Sequence, residues 1–203
     1  LAAESFVNSW KLRTGQVKEE EDFNRIRDAL ESLSKAPIFI DDKPGNNILA
    51  MRAVARRLKR DRGIGLIIVD YLQLMAPTST KASDSMVQQV TEISRSLKSL
   101  ARELKVPVIA LSQLSRAVET RGGKPRLSDL RDSGSIEQDA DVVMFIHRED
   151  KRNPESDRPN IAEILIEKHR NGPTGKTELY FDEKRATFQP VDKSGYDELA
   201  AEF

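Results

Sequence analysis

The chain has 203 residues, enough for one domain with a substantial core, and its 33 basic and 33 acidic residues balance. A nucleic-acid site, if present, must therefore be local rather than part of a general basic field. The absence of cysteine excludes disulfides and thiolate chemistry, and two histidines make a histidine-based zinc site unexpected. The chain has no apolar run near the ~20 residues of a membrane helix, no signal-peptide pattern and no initiator methionine. We expect a soluble, cytoplasmic α/β protein, cut from a longer chain.

Helical patterns dominate the first 62 residues. Residues 1–15 are partly helical, and the apolar spacing over 19–33 predicts a helix with an acidic first turn. Residues 37–42 have the pattern of a short strand ending in two acids. Asn46 and Asn47 can cap the next helix. The outer face of that helix is basic and is expected to be solvated rather than a binding groove: Arg52, Arg56, Arg57, Lys59, Arg60 and Arg62.

The rest of the chain is organised around the apolar run Leu66–Val69, which stops at Asp70. An apolar run without alternation predicts a strand, here 65–70, covered on both faces of a parallel sheet. An acid at the carboxyl end of such a strand lies where open α/β sheets bind ligands. In nucleoside triphosphatases an Asp in this position helps hold Mg²⁺ on the phosphates. The alternative is a buried strand with an Asp that simply begins its loop.

A βαβ unit follows. After a polar loop over 76–84, apolar residues recur every three or four positions over 85–104 and predict a long helix packed into the core. A second apolar strand, 106–111, ends at Ser112 and Gln113. If the two strands are parallel neighbours, Asp70 and Gln113 share one sheet edge.

Residues 114–139 contain no long apolar run, and loops of this length are usually functional or disordered. Within them, 121–126 is predicted to be a flexible polar hinge. The remaining pattern predicts, in order, a strand over 141–147, a charged surface loop over 148–160, paired strands over 161–167 and 177–181 joined by a turn-rich connection, and a frayed polar tail over 192–203.

Four segments carry a resemblance to a known family: Gly63–Met75, Ala110–Arg116, Ser128–Asp141 and Lys168–Gly175. In this order they closely resemble the C-terminal motor domain of the DnaB family of bacterial replicative DNA helicases, which are RecA-like hexameric ATPases. The resemblance runs from about Leu12 to Phe188. It implies an α/β fold with a RecA-like, mostly parallel twisted sheet flanked by helices and a C-terminal antiparallel hairpin. The expected division is a partial motor core over 1–191 and a tail over 192–203.

The resemblance implies roles for particular residues. Asp70 would position Mg²⁺, through water, and Gln113 would sense the γ-phosphate and relay its state to a DNA-facing loop. The alternative for Gln113 is an ordinary strand-end amide. In the DNA loop, Arg131 would supply charge, while main-chain N–H groups near Asp132 and Gly134 would bind phosphate oxygens. The alternative there is a helix-capping turn. The Asp132 position is often Glu in the family, a change that matters little if the N–H is what binds.

Lys168 and Arg170 resemble the basic pair that reaches into the neighbouring subunit's ATP site. Such a finger stabilises charge on the transferring phosphoryl group and requires a closed ring of subunits. The alternative is two exposed basic residues in a hairpin turn. Together the motifs imply that the intact homo-hexamer hydrolyses ATP with Mg²⁺, translocates on single-stranded DNA and unwinds duplex at the replication fork. Expected partners are primase and a helicase loader.

Two parts of the family pattern are missing from this sequence. No G-x-x-x-x-G-K-[ST] phosphate loop is present, because Arg170 stands where the glycine before Gly175-Lys176-Thr177 would be needed. The catalytic glutamate and the family's N-terminal collar are also absent, so this chain alone is predicted to be inactive. Two alternatives therefore stay open: a RecA-like recombinase that coats single strands, and a non-catalytic interaction module that has lost its ATP site.

Overall fold

The computed structural model describes residues 1–43, 47–76, 85–115 and 117–191, without the side chains of Met86, Glu119, Arg131, Asp132 and Ser133. Asn46, most of the loop predicted over 76–84 and the tail predicted over 192–203 lie outside the described residues. The helices are α1 (Ala2–Ser5), α2 (Ser9–Thr14), α3 (Glu20–Lys35), α4 (Ile48–Arg62), α5 (Met86–Leu104), α6 (Ala117–Arg121) and α7 (Gly134–Asp139), with 3₁₀ helices at Leu72–Leu74 and Leu127–Ser133.

The strands form a parallel pair and a separate four-stranded sheet. They are β1 (Ile67–Val69), β2 (Val108–Ala110), β3 (Val142–Arg148), β4 (Ile161–His169), β5 (Gly175–Asp182) and β6 (Thr187–Pro190). Strands β1 and β2 are parallel, with Val69 opposite Ala110. The second sheet has the order β3-β4-β5-β6, and its β4–β5 and β5–β6 pairs are antiparallel. The predicted α/β fold and C-terminal hairpin are confirmed; strand β6, which extends the hairpin, was not predicted.

The chain divides into two compact units. One comprises Leu1–Ile38, Met144–Ile166 and Thr174–Phe203, and the other comprises Phe39–Val143 and Glu167–Pro173. The first unit holds α1 to α3 and most of the four-stranded sheet. The second holds the βαβ unit, the segment that follows it and the turn between β4 and β5.

Helix α5 is the central element of the second unit. Ser85 caps it in a reciprocal capping box: its hydroxyl accepts from the Gln88 N–H, and the Gln88 side chain accepts from the Ser85 N–H. Within the described part of the predicted stripe, Val90, Ile93, Leu97 and Leu100 are buried, Leu100 completely, and Leu104 is half-buried. Helices α4 and α5 enclose a core with the βαβ strands, made of Ile48, Val69, Leu72, Ile93 and Leu97.

The prediction that the first strand is covered on both faces is wrong for the described residues. Val69 is buried, but Ile68 is 62% exposed, and Ile109 on the neighbouring strand is 43% exposed. The reason is alternation: Ile67, Val69 and Val108 face the α4–α5 core, so the residues between them face the opposite way.

Two other local predictions differ from the structure. No strand forms over 37–42, where no described strand pairs with the segment and Ile40 is 85% exposed. Residues 114–139 are not a loop, since they contain α6, the second 3₁₀ helix and α7. Each of these short helices buries or packs only one apolar residue or a few, such as Val118, Leu130 and Ile136, so no repeating apolar pattern marks them in the sequence.

Among the described residues, none of the helices combines the length and apolar character that a membrane crossing requires.

Candidate functional site

Asp70 and Gln113 lie at the same edge of the parallel pair. Asp70 directly follows β1 and Gln113 lies three residues beyond the end of β2, so both stand at the carboxyl edge. Both residues are exposed. This juxtaposition was predicted from the sequence, and parallel pairing produces it, because parallel strands end at a common edge.

Gln73 joins the two strand ends. Its amide nitrogen donates to the Ser112 hydroxyl at 3.0 Å and its amide oxygen accepts from the Gln113 N–H at 3.3 Å. The main chain of Gln113 is thereby fixed while its side chain is left at the exposed edge. No role was predicted for Gln73, because nothing in its residue type or position indicates a contact with a residue 40 positions away.

Asp70 fits only part of a metal site. In the described part of the chain no group of three or more His, Cys, Asp or Glu side chains is arranged to hold a metal ion. Mg²⁺ in nucleotide sites keeps several waters and takes one or two carboxylates together with the substrate's phosphates. The exposed Asp70 carboxylate could bind such a Mg²⁺ through one of its waters, with the phosphates of the nucleotide supplying the other ligands.

An ion pair between Arg121 and Asp129 connects the two sides of the segment 121–126, which was predicted to be a flexible hinge. Asp129, 5% exposed, accepts two hydrogen bonds from the Arg121 guanidinium at 2.8 and 2.9 Å, and another from the Arg126 N–H at 2.7 Å. The Arg121 hydrogen bonds are the main reason why the pKa of Asp129 lies below its ordinary value. The Ser115 N–H donates to the Asp129 carbonyl at 3.2 Å. The segment after Gln113 is thus tied to the 3₁₀ helix that leads into residues 131–134.

The predicted DNA loop is described only through its backbone and Gly134. Arg131 and Asp132 lie in the 3₁₀ helix Leu127–Ser133, and their side chains are outside the described part. Gly134 begins α7 with ordinary helical angles, φ −53° and ψ −23°. A Cβ there would meet nothing within 4 Å. Neither backbone strain nor packing therefore requires a glycine at this position.

Lys168 and Arg170 lie at the end of β4 and in the turn after it, and both bind the C-terminal end of α7. The Lys168 ammonium donates to the Glu137 carbonyl at 2.5 Å, and the Arg170 guanidinium donates to the Gln138 carbonyl at 3.2 Å. Arg170 Nε also lies 3.4 Å from a carboxylate oxygen of Asp141, and its side chain is 45% exposed. The two cations lie together, as predicted. No hydrogen bond or ion pair within the described residues joins either of them to Asp70 or Gln113.

Gly172 lies in the same turn and packs closely against His169. A Cβ on Gly172 would lie 2.8 Å from Cε1 of the His169 ring. The Asn171-Gly172 pair was expected to form a turn, but the contact with His169 could not be inferred from spacing.

These features define a class. A parallel βαβ unit with an acid and an amide at its carboxyl edge is the ligand-binding arrangement of α/β nucleotide-binding domains. The helices over 117–139 and the two cations at the end of β4 and in the turn after it are additions to that arrangement.

Comparison with known proteins narrows the class to a family. The sequence model of the family "DnaB-like helicase C terminal domain" matches residues 1–190, so the chain belongs to that family. The replicative DNA helicase DnaC of Bacillus subtilis strain 168 is 50% identical over 194 residues, which are 95% of this chain and 42% of the relative. The replicative DNA helicase DnaB of Geobacillus stearothermophilus matches with the same identity and shares. The chain thus spans less than half the length of these curated relatives.

Two solved structures of similar proteins support the same family assignment. A DnaB-like replicative helicase, solved with a study of its interactions with primase, superposes with a TM-score of 0.89 at 39% identity, over 94% of this chain and 46% of that one. A second solved structure, of an ATPase domain, superposes with a TM-score of 0.88 at 39% identity, over 94% of this chain and 68% of that one. The resemblance and the RecA-like fold predicted from sequence are confirmed. The recombinase and interaction-module alternatives are not favoured.

Proposed function

We propose that the full-length protein is a ring-forming replicative DNA helicase driven by ATP, and that this chain supplies part of its motor domain. One observation carries the proposal: in a chain of this family, Asp70 and Gln113 end neighbouring parallel strands at one exposed edge. MgATP is the proposed substrate. Since the chain contains no phosphate-binding loop, the remainder of the nucleotide site must come from outside these residues.

Each residue at the edge has a proposed part in hydrolysis. Asp70 orients the Mg²⁺ of the substrate through a water molecule. Gln113 hydrogen-bonds the γ-phosphate when it is present and turns away when it has left. Because Gln73 fixes the Gln113 main chain, such a change is confined to the side chain and to the segment beyond it.

Lys168 and Arg170 are proposed to act on the ATP of a neighbouring subunit. A guanidinium has five N–H donors, and Arg170 uses only part of them within its own chain. Its partly exposed side chain leaves donors for a phosphate oxygen of the next subunit. Charge of this kind, placed at a transferring phosphoryl group, raises the rate by ~10³-fold or more.

Residues 131–134 are proposed to contact the phosphates of single-stranded DNA. Arg131 contributes charge, and the N–H groups near Asp132 and Gly134 donate to phosphate oxygens without reading sequence. The open space at Gly134 supports this, because a bare backbone lets a phosphate approach closely. A homo-hexameric ring, action in the cytoplasm, and contacts with primase and a loader belong to the same proposal.

The test uses the full-length protein, because the chain covers less than half of its relatives. Arg170→Ala should lower DNA-stimulated ATP hydrolysis by ~10³-fold or more, while the Kd for a fluorescent ATP analogue stays near that of the wild type. Arg62→Ala, which removes an exposed arginine at the end of α4, is the matched control and should hydrolyse normally. Normal turnover in the Arg170 variant would remove the finger assignment.

Mixing subunits tests whether the finger acts in trans. Asp70→Ala and Arg170→Ala rings should each be inactive. In mixed rings, some interfaces pair an intact Asp70 with an intact Arg170 from the next subunit, so part of the activity should return. If mixing restores nothing, the two residues do not act across an interface.

A further inference from the structure

The C-terminal end of α7 receives both cations of the proposed finger. The last carbonyls of a helix have no partner within the helix, and cations are favoured beside them. The carbonyls of Glu137 and Gln138 accept from Lys168 and Arg170, respectively. The finger is therefore held in its own subunit by the backbone of one short helix.

Asp141 holds Arg170 twice. Its carbonyl accepts from the Arg170 N–H at 2.8 Å, and its carboxylate pairs with the Arg170 guanidinium. The same carboxylate is paired with Lys98 of α5. The Lys98 hydrogen bond is the main cause of the lowered pKa of Asp141.

The opposite end of α7 is Gly134, in the segment proposed to bind DNA. The helix has six residues, so its two ends lie about 9 Å apart. Its side is fixed to α5 by the Ser94 hydroxyl, which donates to Asp139 at 2.9 Å. A helix of six residues spans fewer than two turns, so its hydrogen-bonded backbone joins its two ends directly. A displacement at Gly134 would therefore also displace the carbonyls that hold Lys168 and Arg170.

We propose that α7 couples the DNA loop of a subunit to the position of that subunit's finger, and that Asp141 is the residue that positions Arg170. This rests on the proposed function. When DNA occupies residues 131–134, α7 is fixed and presents Arg170 to the neighbouring ATP site. Asp141 is a positioning residue, since it acts through Arg170.

The experiment measures ATP hydrolysis by the full-length protein with and without single-stranded DNA. Asp141→Asn should lower the ratio of the two rates by about 2- to 30-fold, the range over which residues of a coupling path change coupling. The loss should lie in kcat rather than in KM for ATP, because the finger acts on the transferring group. Asp141→Glu, which keeps the charge, should restore part of the ratio.

The control is Glu103→Gln, which breaks an ion pair of α5 with Arg52 and Arg56 of α4 and does not touch α7. It should leave the ratio unchanged. Ser94→Ala loosens α7 by a second route and should also lower the ratio, which covers the case in which Asp141→Asn fails to fold.

The outcomes separate the two proposals. If Arg170→Ala abolishes hydrolysis but Asp141→Asn and Ser94→Ala keep the wild-type ratio, the coupling is wrong and the helicase proposal stands. An equal fall with Glu103→Gln would also overturn it, as a general loss of structure. If Arg170→Ala hydrolyses normally, the finger assignment itself fails.

Discussion

Two pairs of cations near the β4–β5 hairpin are held in different ways. Lys176 on β5 lies 3.4 Å from Glu163 and 3.3 Å from Glu178. Arg158 lies 2.8 Å from Glu178 and 3.7 Å from Glu163. This pair faces two carboxylates, one of which, Glu163, is buried. Its charge is neutralised within the fold.

Lys168 is held by a carbonyl oxygen, and the Arg170 guanidinium is held by a carbonyl oxygen and one carboxylate. The carbonyls of Glu137 and Gln138 accept from them, and one carboxylate, Asp141, is shared between Arg170 and Lys98. A carbonyl oxygen orients a cation without cancelling its charge, whereas a carboxylate does both. The comparison teaches that Lys176 and Arg158 each face two carboxylates, whereas Arg170 shares a single carboxylate with Lys98, so we expect the Lys168 and Arg170 pair to keep more charge available for a phosphate.

The proposed difference between the two pairs of cations is tested most directly by replacing Lys168 and Lys176, one at a time, with alanine. Lys168→Ala should lower DNA-stimulated hydrolysis by about 10²-fold, as expected for removing one donor from the developing charge. Lys176→Ala should leave hydrolysis unchanged. Steady-state ATPase assays of the full-length protein measure both, and a loss of similar size in Lys176→Ala would show that the number of facing carboxylates does not decide the role.

The next largest effect tests the neutralised pair. Glu163→Gln removes the buried carboxylate that faces Lys176 and Arg158, and should lower the free energy of unfolding by about 1–3 kcal/mol. Hydrolysis at a temperature well below unfolding should not change. Denaturant unfolding monitored by circular dichroism gives the first quantity. Unaltered stability would mean that these contacts do not hold the hairpin.

A third test concerns the far end of the helix that binds Lys168 and Arg170. Gly134→Ala introduces a Cβ into open space in a helical conformation, so stability should rise by about 0.4–1 kcal/mol. Binding of single-stranded DNA should nevertheless weaken by about 10-fold, because the added Cβ would hold a phosphate oxygen away from the N–H, and losing a hydrogen bond to a charged group has about that effect. Fluorescence anisotropy with a labelled oligonucleotide measures it. Weaker binding together with lower stability would instead indicate a structural role for Gly134.

The smallest expected effect is on the thermal stability of the protein at acidic pH. The hydrogen bond from Arg158 is the main cause of the lowered pKa of Glu178, with Lys176 adding to it. A lowered folded-state pKa means that this pair stabilises the fold above the ordinary value of 4.5 and that the contribution is lost as the pH falls through the folded pKa. Between about pH 6 and about pH 3, the Tm of the wild type should fall more steeply than that of Glu178→Gln. Parallel curves would remove the linkage.

Local patterns predicted the elements that depend on local chemistry. The helix over 85–104 could be identified because its apolar periodicity lies within neighbouring residues. Its Ser85–Gln88 capping box is equally local but was not predicted. The common edge of Asp70 and Gln113 followed from two apolar runs and one connecting helix. The strand predicted over 37–42 was wrong, because strand formation depends on a partner that its own sequence does not specify.

The contacts that distinguish the two cation pairs could not be predicted in the same way. Lys168 and Glu137 are 31 residues apart, and Arg170 and Gln138 are 32 apart. The accepting atoms are backbone carbonyls, which every residue carries, so no residue type marks them. The family resemblance supplied roles for Lys168 and Arg170 but not their attachment to α7. The roles of Asp70, Gln113, Arg131, Asp132, Gly134, Lys168 and Arg170 remain predictions.

The close approach of Gly172 to the His169 ring limits which substitutions the turn after β4 can accept during evolution. Any side chain at 172 would first displace that ring, whose Cε1 atom would lie 2.8 Å from the new Cβ. His169 stands between Lys168 and Arg170 in the sequence, so bulk at 172 becomes a disturbance beside both cations. Positions 169 and 172 should therefore covary in related sequences: a larger residue at 172 is tolerated together with a smaller one at 169. Thr174, two residues further on, lies outside this constraint.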